Sequence, residues 1–402
     1  MIANCVKMLF SLARMQTERP SPPYWLGGRL LFEADRFLLS SGPQKVAFRA
    51  EPGLLAEVQA GDVVAIEIIG TEPEFEARSL RVLHRSSNPQ TANFLPLQFV
   101  KFQQDVREHW LQLGLTEVLT PSLVVCPGLE PSLEPFATEQ RWGRERVTRY
   151  LPTSPEIHLK KILAMGVDDL FEIKTCYRNG EKSGHHSAEF QMLEWYRAFG
   201  DLDLIRQDLS SLLAFLQGKG WGRANLGPID LQTTTFSNLF EEHFQFRLTP
   251  KSGRDDLSEL CRQQGLHFTS EDSFDDLFHR LWLDKIELQL PKTPLIVSGF
   301  PPSQSALAKL NDEGWAQRFE FFWQGMEIAN AFFEVTDPHE QKSRWQRDAI
   351  ERKRLGTSEL PQDEELLGAL ERGIPPTGGI ALGLERLFMA FTGLSSIDLV
   401  KF

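Results

Sequence analysis

The chain has 402 residues, enough for two or three domains with at least one large hydrophobic core. Its 43 basic and 55 acidic side chains give a formal net charge of −12. This balance disfavours a protein whose main partner is nucleic acid, because such proteins usually present a basic surface. The four cysteines form no CxxC pair, which disfavours a disulfide framework or a zinc site and indicates the cytoplasm. No apolar run approaches about 18 residues, so no membrane-spanning helix is predicted.

The first quarter of the chain predicts a tail followed by a small β-domain. Residues 1–22, which include most of the Pro-rich stretch QTERPSPP, are predicted to be the tail. Residues 23–86 contain five short strand-like segments separated by turn residues, a pattern typical of an OB-like β-barrel. Between Tyr24 and Ser86 there are seven Lys and Arg against nine Asp and Glu. A barrel that packs or contacts protein is therefore favoured over one that binds RNA, and residues 87–95 are predicted to be a linker.

Residues 96–402 predict a second, larger domain that begins with a helix and a strand. Apolar residues at spacings of 3, 4, 4 and 3 mark one helix face, made of Phe99, Phe102, Val106, Trp110 and Leu113. The segment TEVLTPSLVV at 116–125 predicts a strand that Pro121 confines to a sheet edge or a bulge. A helix and edge strand of this kind serve either as scaffold or as a dimer interface.

Later segments mix strand and helix patterns without a regular βαβ order. They predict strands at 168–178, 188–199 and 293–301, a helix at 202–216, a hairpin at 317–337 and a strand–turn–helix at 378–391. This order favours an α+β domain with an antiparallel sheet flanked by helices. A Rossmann domain and a P-loop are disfavoured, because neither G-x-G-x-x-G after a strand nor G-x-x-x-x-G-K-[ST] occurs.

The polar stretch RNGEKSGHHSAEF, from Arg178 to Phe190, lies between two predicted strands. Arg178 ends the first strand, where its guanidinium can hold a phosphate or a carboxylate. Phe190 begins the second strand, where its ring can stack on a base. The plainer interpretation is a solvated surface loop. The adjacent His185 and His186 point in different directions and do not predict a metal pair.

Two further stretches carry charges in apolar surroundings. In EFFWQGMEIANAFFEV, Glu320 and Glu327 are seven residues apart, and two carboxylates with nucleotide phosphates form a usual Mg²⁺ site. A solvent-facing pair on an edge strand is the alternative. In GGIALGLERLFMAF, Gly383 permits close approach of the backbone, and Arg386 at the start of a helix favours an anion. By itself this is also a common strand–turn–helix pattern.

Together these stretches resemble the core of class II aminoacyl-tRNA synthetases. The helix with TEVLTP is similar to motif 1, FEIKTCYRNGEKSGHHSAEFQMLEWY to motif 2, and GGIALGLERL to motif 3. The motifs occur in the family's order, and the resemblance covers residues 96–402. It implies an antiparallel sheet flanked by helices, use of ATP with Mg²⁺, and a homodimer formed through motif 1.

Within that class, TSPEIHLKK, EFQMLEWYRAF and EIANAFFEVTD resemble the lysine branch. The branch comprises lysyl-tRNA synthetases and the elongation factor P–(R)-β-lysine ligase family. The stretch FPPSQSALAKL is similar to that of the ligases, and so is Ala381, which stands where lysyl-tRNA synthetases have Gly. A methyl group there would reshape the floor of the amino-acid pocket, and a change of this size shifts substrate preference by about 1–3 kcal/mol.

The resemblance also implies a role for each matching residue. It makes Arg178 and Arg386 catalytic, holding the α-phosphate and the far side of the nucleotide. It implies an ATP site made of Arg178, Asn179, Gly180, His186, Ser187, Phe190, Glu327, Ile328, Gly383 and Arg386, with Mg²⁺ on Glu320 and Glu327. It implies an amino-acid pocket made of Ser154, Pro155, Glu156, Glu194, Tyr196, Asn330, Phe332, Glu334 and Ala381. Three carboxylates in that pocket suit a substrate with two ammonium groups.

The predicted function is ATP-dependent activation of lysine or (R)-β-lysine as an aminoacyl-adenylate, followed by transfer to a lysine side chain of elongation factor P. The protein is predicted to be a cytoplasmic homodimer, with tRNA as the less favoured acceptor. Two alternatives stay open: an unusual lysyl-tRNA synthetase, and a non-catalytic paralogue with a binding role. Two departures in the loop after Arg178 motivate the non-catalytic alternative. Where the family has R-N-E this chain has R-N-G, and where the family has H-N-P-E-F this chain has H-S-A-E-F.

Overall fold

The computed structural model describes residues 9–11, 24–33, 36–41, 44–50, 54, 58–59, 61–69, 75–85, 95–128, 130–222, 227 and 229–401. The predicted tail at 1–22 and linker at 87–95 lie almost wholly outside these residues. Contacts divide the chain into two compact units, Met1–Lys101 with Lys401–Phe402, and Phe102–Val400. The domain boundaries drawn from the sequence stay predictions.

All five strand-like segments of the N-terminal unit form strands. They are β2 (Tyr24–Glu33), β3 (Arg36–Ser41), β4 (Gln44–Ala50), β5 (Val63–Ile69) and β6 (Glu76–His84), preceded by the short β1 (Leu9–Ser11). Antiparallel pairings join β2 to β3, β3 to β4, β5 to β6 and β2 to β5, and a parallel pairing joins β4 to β6. These five strands therefore form a closed ring. Alternate residues fill its apolar core, including Leu26, Leu30, Leu39, Val64 and Ile66.

The larger unit is built on one main sheet. Its strands are β7 (Thr116–Glu117), β10 (Asp169–Tyr177), β11 (Glu189–Ala198), β12 (Gln232–Thr235), β13 (Leu295–Phe300), β14 (Ala316–Trp323), β15 (Met326–Phe333) and β16 (Thr377–Gly383). In the described residues their order is β12–β13–β14–β15–β16–β11–β10–β7. A separate hairpin pairs β8 (Ala137–Trp142) with β9 (Glu145–Tyr150).

Two expectations for this sheet need correction. The six strands from β13 to β10 pair antiparallel, but β12–β13 and β10–β7 pair in parallel at the two edges. The sheet is therefore mixed, because long connections that contain helices bring the chain back to each edge in the same direction. The strand predicted at 116–125 is largely wrong. The segment pairs with β10 only at Thr116–Glu117, at the predicted sheet edge, and Val124 forms an isolated bridge with Tyr150. Pro121 interrupts the segment because it has no N–H to donate to a ladder of strand hydrogen bonds.

The helices are α1 (Leu95–Gln112), α2 (Glu156–Leu163), α3 (Leu202–Gly218), α4 (Phe236–Phe244), α5 (Arg254–Gln263), α6 (Phe274–Leu281), α7 (Pro338–Leu355), α8 (Glu364–Arg372) and α9 (Leu384–Thr392). The predicted helix at 202–216 is confirmed as α3. Its start is capped by Asp201, whose side chain accepts from the N–H groups of Asp203 and Leu204. Across the described parts of the chain, no helix has both the length and the apolar character needed to cross a membrane.

The two faces of the main sheet differ in chemistry. One face is apolar and almost completely buried, with side chains that include Trp195, Phe319, Ala331 and Ile380. Trp110 of α1 packs on Trp195, with ring centroids 4.5 Å apart, and Phe391 of α9 packs on Trp323 at 4.9 Å. Trp195 and Trp323 are therefore core residues, with exposed fractions of 0% and 1%. Because strand residues alternate between faces, the polar residues between these positions project to the opposite side.

Candidate active site

Strand register brings residues from three separate stretches into one row across the polar face. Glu194 of β11 pairs with Ala381 of β16, which also pairs with Asn330 of β15. Asn330 in turn pairs with Glu320 of β14. Cross-strand partners project from the same face, so these four side chains stand side by side. The methyl group of Ala381 lies between a carboxylate and an amide.

A second row lies two residues further along the strands. Tyr196 pairs with Gly379, and Gly379 pairs with Phe332, which pairs with Arg318. A Cβ atom added at Gly379 would lie 2.5 Å from the Tyr196 ring and 2.5 Å from Oε1 of Glu334. This position therefore requires glycine, because a side chain would push the ring and the carboxylate away from β16.

A cavity of about 440 Å³ lies over these rows. Of the predicted site residues, its lining includes Ser154, Glu156, Arg178, His186, Ser187, Phe190, Glu320, Glu327, Ile328, Asn330, Phe332, Ala381, Gly383 and Arg386. Three more are buried beside the lining: Glu194 contacts Ser154, Glu334 contacts Lys160, and Tyr196 contacts Glu194. Pro155, Asn179 and Gly180 are not among the described lining residues. The roles assigned to all these residues stay predictions.

The arginine end of the cavity is defined by Arg178, Phe190 and Arg386. Arg178 follows β10, and its N–H donates to the carbonyl of Ala188 at 3.0 Å, which closes the base of the β10–β11 loop. The guanidinium carbon lies 5.2 Å from the centroid of the Phe190 ring. Its ion pair with Glu181 is loose at 3.9 Å, and Nε has no hydrogen-bond partner among the described residues. Arg178 thus keeps donor capacity for a ligand anion.

The β10–β11 loop contains the departures from the family pattern. Gly180 has a φ of +80°, a conformation that favours glycine over the family's Glu. Glu181, one position later, lines the cavity. His186 also lines it, with Nδ1 2.8 Å from the Ser183 hydroxyl oxygen. Burial, followed by the charge of Arg386, lowers the pKa of His186, so its imidazole is neutral at pH 7.

Arg386 connects three elements at this end. It is the third residue of α9 and follows Gly383, the residue that precedes the helix. Its guanidinium donates to the carbonyl of Glu327 on β15 at 2.8 Å and to the carbonyl of His185 in the β10–β11 loop at 3.2 Å. These contacts hold the loop against the sheet and set the position of the guanidinium.

Glu320 and Glu327, the predicted Mg²⁺ ligands, lie on neighbouring strands and both line the cavity. Burial, and then the charge of Glu327, raises the pKa of Glu320 to about 8. Arg318 partly compensates, because it donates to Glu320 at 2.5 Å and to Oδ1 of Asn330 at 3.0 Å. A cation placed beside Glu320 and Glu327 would favour the ionised form of Glu320.

The carboxylate end of the cavity consists of Glu156, Glu194 and Glu334. Glu194 accepts hydrogen bonds from the hydroxyl groups of Ser154 at 2.5 Å and Tyr196 at 3.0 Å. Burial, and then the charge of Glu156, raises the pKa of Glu194 well above its ordinary value. Burial also raises the pKa of Glu334 to about 7. Such carboxylates ionise more readily when an ammonium group arrives.

Lys160 of α2 lies between two of these carboxylates and was not predicted from the sequence. Its Nζ is 2.6 Å from Oε1 of Glu156 and 2.7 Å from Oε2 of Glu334, and its side chain is only 2% exposed. Although burial opposes its charge, Glu156 and Glu334 raise the pKa of Lys160. The spacing of Glu156 and Lys160, one helical turn apart, was the available signal. The approach of Glu334 depends on the fold.

Sequence reasoning also missed Arg318, Gly379, Glu385 and Gln341. Glu385 accepts the backbone N–H of Gln191 with both carboxylate oxygens at 2.9 Å, and so ties α9 to β11. Its position next to Arg386 was a usable signal, as was the alternation of Arg318 with Glu320. Gln341 of α7 lines the cavity and is 1% exposed, and its amide has no partner among the described residues. No signal in the sequence marks it.

Comparison with known proteins defines the class. Residues 74–402 match the family of class II tRNA synthetases (D, K and N). Three curated relatives carry names from the lysine branch. "Elongation factor P–(R)-β-lysine ligase" of Avibacterium paragallinarum is 33% identical over 308 residues, covering 75% of this chain and 92% of the relative. The ligase of the same name from Mannheimia succiniciproducens is 34% identical over 304 residues, covering 74% and 91%.

A third relative, named a homolog of that ligase, comes from Aquifex aeolicus and is 33% identical over 293 residues, covering 73% of this chain and 93% of the relative. The chain therefore belongs to the class II tRNA synthetase family, within the group of elongation factor P–(R)-β-lysine ligases. The resemblance predicted from the three motifs is confirmed. The family match does not include residues 1–73, which hold most strands of the N-terminal unit.

Proposed function

We propose that the protein is an ATP-dependent ligase that activates lysine or (R)-β-lysine as an aminoacyl-adenylate and transfers it to a lysine side chain of elongation factor P. One arrangement carries the proposal. A single cavity is lined both by Arg178, whose Nε has no partner among the described residues, and by Glu156, and the buried Glu194 and Glu334 contact the lining residues Ser154 and Lys160. An amino acid with one carboxylate and two ammonium groups matches both ends by charge.

The arginine end supports ATP as the co-substrate. Phe190 would stack on the adenine, and Arg178 and Arg386 would hold the phosphates, since guanidinium groups bind phosphate oxygens in pairs. Gly383 would allow the backbone to approach the nucleotide. Placement of His186, Ser187 and Ile328 in the cavity lining is compatible with contacts to ATP.

Glu320 and Glu327 fit a divalent cation, and we assign Mg²⁺ to them. Their carboxylate oxygens are hard ligands, and a cation would relieve the repulsion that contributes to the raised pKa of Glu320. When bound, Mg²⁺ would neutralise phosphate charge. Within the described residues, no group of three or more His, Cys, Asp or Glu side chains is placed to hold a metal. Phosphates and water would complete the ligand set, as is usual for this ion.

The residues of the cavity suit two successive displacements. In the first, the substrate carboxylate attacks the α-phosphorus, the bond to the β-phosphate oxygen breaks, and pyrophosphate leaves. Arg178 would donate to the charge that accumulates on the α-phosphate. In the second, the acceptor amine attacks the acyl carbonyl, loses a proton and releases AMP. Asn330, Phe332 and Ala381 would shape the slot that positions the carbonyl for both attacks.

The acceptor is assigned from the relatives and from charge. The relatives' name refers to elongation factor P, and the charge of −12 gives no support for tRNA. We further propose that residues 23–86 form an OB-like barrel, because five strands close into a ring with one parallel pairing. We assign residues 96–402 to the catalytic domain. The acidic excess of the barrel favours a protein contact over RNA.

A homodimer formed through motif 1, which comprises α1 and the segment after it, is also proposed. Large apolar side chains are exposed along this segment and on the β8–β9 hairpin, namely Leu111, Leu113, Leu119, Leu123, Val125, Trp142 and Val147. Leu119 is 85% exposed and Trp142 is 80% exposed. Clustered apolar exposure marks an interaction surface, and a second copy of the chain is the proposed cover.

Light scattering on a sizing column tests the dimer. We expect a dimer mass for the wild type, a monomer mass for Leu119→Asp, and a dimer mass for the control Leu288→Asp, which changes a leucine that is also 82% exposed but lies elsewhere. A monomeric wild type would contradict the proposal.

The catalytic proposal is tested in two assays. ATP–pyrophosphate exchange with lysine, (R)-β-lysine and ornithine measures adenylate formation. Transfer from the activated amino acid to elongation factor P or to tRNA is then measured by intact mass and by acid-stable labelling. We expect exchange with a lysine-type amino acid and modification of the factor. Charging of tRNA without modification of the factor would favour a lysyl-tRNA synthetase, and ATP binding without exchange would favour a non-catalytic paralogue.

A further inference from the structure

The carboxylate end contains its own ammonium group before any substrate arrives. We propose that Lys160 is a resident counter-ion that sets the charge and spacing of the amino-acid slot, so that a diamino acid binds through the oxygens that Lys160 leaves available. Lys160 is thus a positioning residue that determines specificity, and it acts through Glu156 and Glu334. The inference rests on the proposed function, because it concerns the amino-acid substrate of the same site.

Lys160 fixes the positions of two carboxylates. Lys160 contacts one oxygen of each partner, Oε1 of Glu156 at 2.6 Å and Oε2 of Glu334 at 2.7 Å. It therefore holds the two carboxylates in one place while the second oxygen of each stays outside the ion pair. Oε1 of Glu334 lies over Gly379, where a Cβ atom would be 2.5 Å away. The glycine at that position keeps this oxygen close to the floor of the slot.

Hydrogen bonds connect Lys160 and its partners to the third carboxylate. The N–H of Glu156 donates to the Ser154 hydroxyl oxygen at 3.0 Å, and that hydroxyl donates to Glu194 at 2.5 Å. Glu194 also accepts from the Tyr196 hydroxyl at 3.0 Å. A continuous chain of contacts thus connects Lys160 to the residues of all three carboxylates, so a shift of Lys160 would change the positions of these carboxylates in the slot.

Lys160 also sets the charge balance of the slot. Once the substrate ammonium groups are in place and favour ionisation, three carboxylates and one Lys leave two negative charges, which equals the number of ammonium groups on a diamino acid. Without Lys160 the slot would carry three negative charges, and a buried excess of this kind is relieved by taking up a proton. That proton would compete with the substrate ammonium for the same oxygens.

Charged groups on neighbouring elements do not replace Lys160. The charge of Arg344 on α7 lowers the pKa of Glu334. The Arg344 guanidinium is nevertheless already hydrogen-bonded to Glu340 and to the carbonyls of Ala306 and Ala308. On β10, Glu172 pairs across the strands with Glu194 and has its own buried partners. It accepts from the N–H and hydroxyl of Thr120 and lies 3.5 Å from Lys174.

The next residue, Lys161, provides a matched control. It lies on the same helix, and its Nζ is paired with Asp363 at 2.8 Å and Glu365 at 2.9 Å. Lys161 is not among the described residues that line the cavity. Lys160→Met and Lys161→Met therefore remove the same group from the same helix, and each breaks two ion pairs, but only the first variant changes the slot.

Pyrophosphate exchange with lysine and (R)-β-lysine, measured from about pH 6 to 9, tests the inference. For Lys160→Met we expect the amino-acid KM to rise roughly tenfold or more, because a buried ion pair has lost one partner, while the ATP KM stays near the wild-type value. The acid limb of kcat/KM should also move to higher pH, because Glu334 loses the cation that favours its ionised form. Lys161→Met should keep the wild-type KM and pH profile.

Lys160→Gln, which keeps hydrogen-bond donors but no charge, should show the same shift of the acid limb and serves if the Met variant fails to fold. A wild-type amino-acid KM and pH profile in either folded variant would overturn the inference, and so would an equal rise of the KM values for ATP and the amino acid. An inactive wild type would overturn the proposed function and this inference with it. An active wild type with an unchanged variant overturns the inference alone.

Discussion

The charged groups at the two ends of the cavity differ in how closely they are paired with other residues. At the arginine end, Arg178 has a loose 3.9 Å ion pair, and its Nε has no partner among the described residues. At the carboxylate end, Glu156 and Glu334 share an ion pair with Lys160 below 3 Å, and Glu194 accepts two hydroxyl groups. One end is left open for an anion, and the other already contains a cation, Lys160, paired with two of its carboxylates.

The difference follows from the chemistry of the two groups. A guanidinium keeps its proton at any ordinary pH, so it can stand in a cavity with few partners and stay charged. A buried carboxylate without a cation takes up a proton instead. Removal of charge should therefore abolish the reaction at the arginine end, whereas changes at the carboxylate end should alter affinity, selectivity and pH dependence.

The largest expected effect is at Arg178. Arg178→Ala removes the donor for charge on the α-phosphate, and we expect pyrophosphate exchange to fall by about 10³-fold. Lys182→Ala, an exposed cation in the same loop, should stay within about twofold of the wild type. Exchange that survives in Arg178→Ala would show that the two ends do not differ in this way.

The next effect is at Gly379. Gly379→Ala places a Cβ atom 2.5 Å from both the Tyr196 ring and Oε1 of Glu334. An overpacked contact of this kind costs about 1–3 kcal/mol, so the amino-acid KM should rise by tenfold or more while the ATP KM changes little. Gly218→Ala, where nothing lies within 4 Å of the added atom, is the control. Equal effects on both KM values would mean that the clash spreads beyond the carboxylate end.

The pH profile comes next. Burial raises the pKa of Glu334 to about 7, so the carboxylate gains a proton as the pH falls through neutrality and attracts an ammonium group less. We expect kcat/KM for the amino acid to decline by roughly tenfold per pH unit well below pH 7. Glu334→Gln should have a lower kcat/KM above pH 7 and should lose this decline. A variant that keeps the same acid limb would assign the titration to another group.

The smallest effect is at Ala381. Ala381→Gly removes the methyl group between Glu194 and Asn330, and a change of this size is worth about 1–3 kcal/mol in substrate preference. We expect the ratio of kcat/KM for lysine over (R)-β-lysine to rise, with ATP use unchanged. An unaltered ratio would show that the methyl group does not touch the part of the substrate in which the two amino acids differ.

Much of the fold was predictable because the signals are local. The alternation in residues 24–86 and the apolar strands around the Arg178 loop predicted strands that the structure confirms. The segment 116–125 was misjudged, because β-branched and apolar residues suggest a strand whether or not a neighbour is present to pair with them. The parallel edges of the main sheet were missed for a related reason, since pairing direction depends on where long connections return the chain.

The residues of the candidate site also fall into two groups, those that local sequence patterns predict and those that depend on the fold. Residue types in order along the chain were sufficient for the motifs and for the family, and most of the site residues predicted from them line the cavity. The role of Gly379 and the ion pair between Lys160 and Glu334 were not visible, because those residues are far apart in the chain and meet through strand register and burial. Register is a property of paired strands, and burial is a property of the whole unit.

By itself, the sequence determined the strands on either side of the Arg178 loop, which family the chain belongs to, and which charged groups are available, including the one-turn spacing of Glu156 and Lys160. Only the tertiary structure decided that Glu194, Ala381, Asn330 and Glu320 form one row, and that Glu334 approaches Lys160. The physical reason is that local patterns follow from each residue's own chemistry. The balance of charge in a cavity follows from which distant groups share the same low-dielectric space.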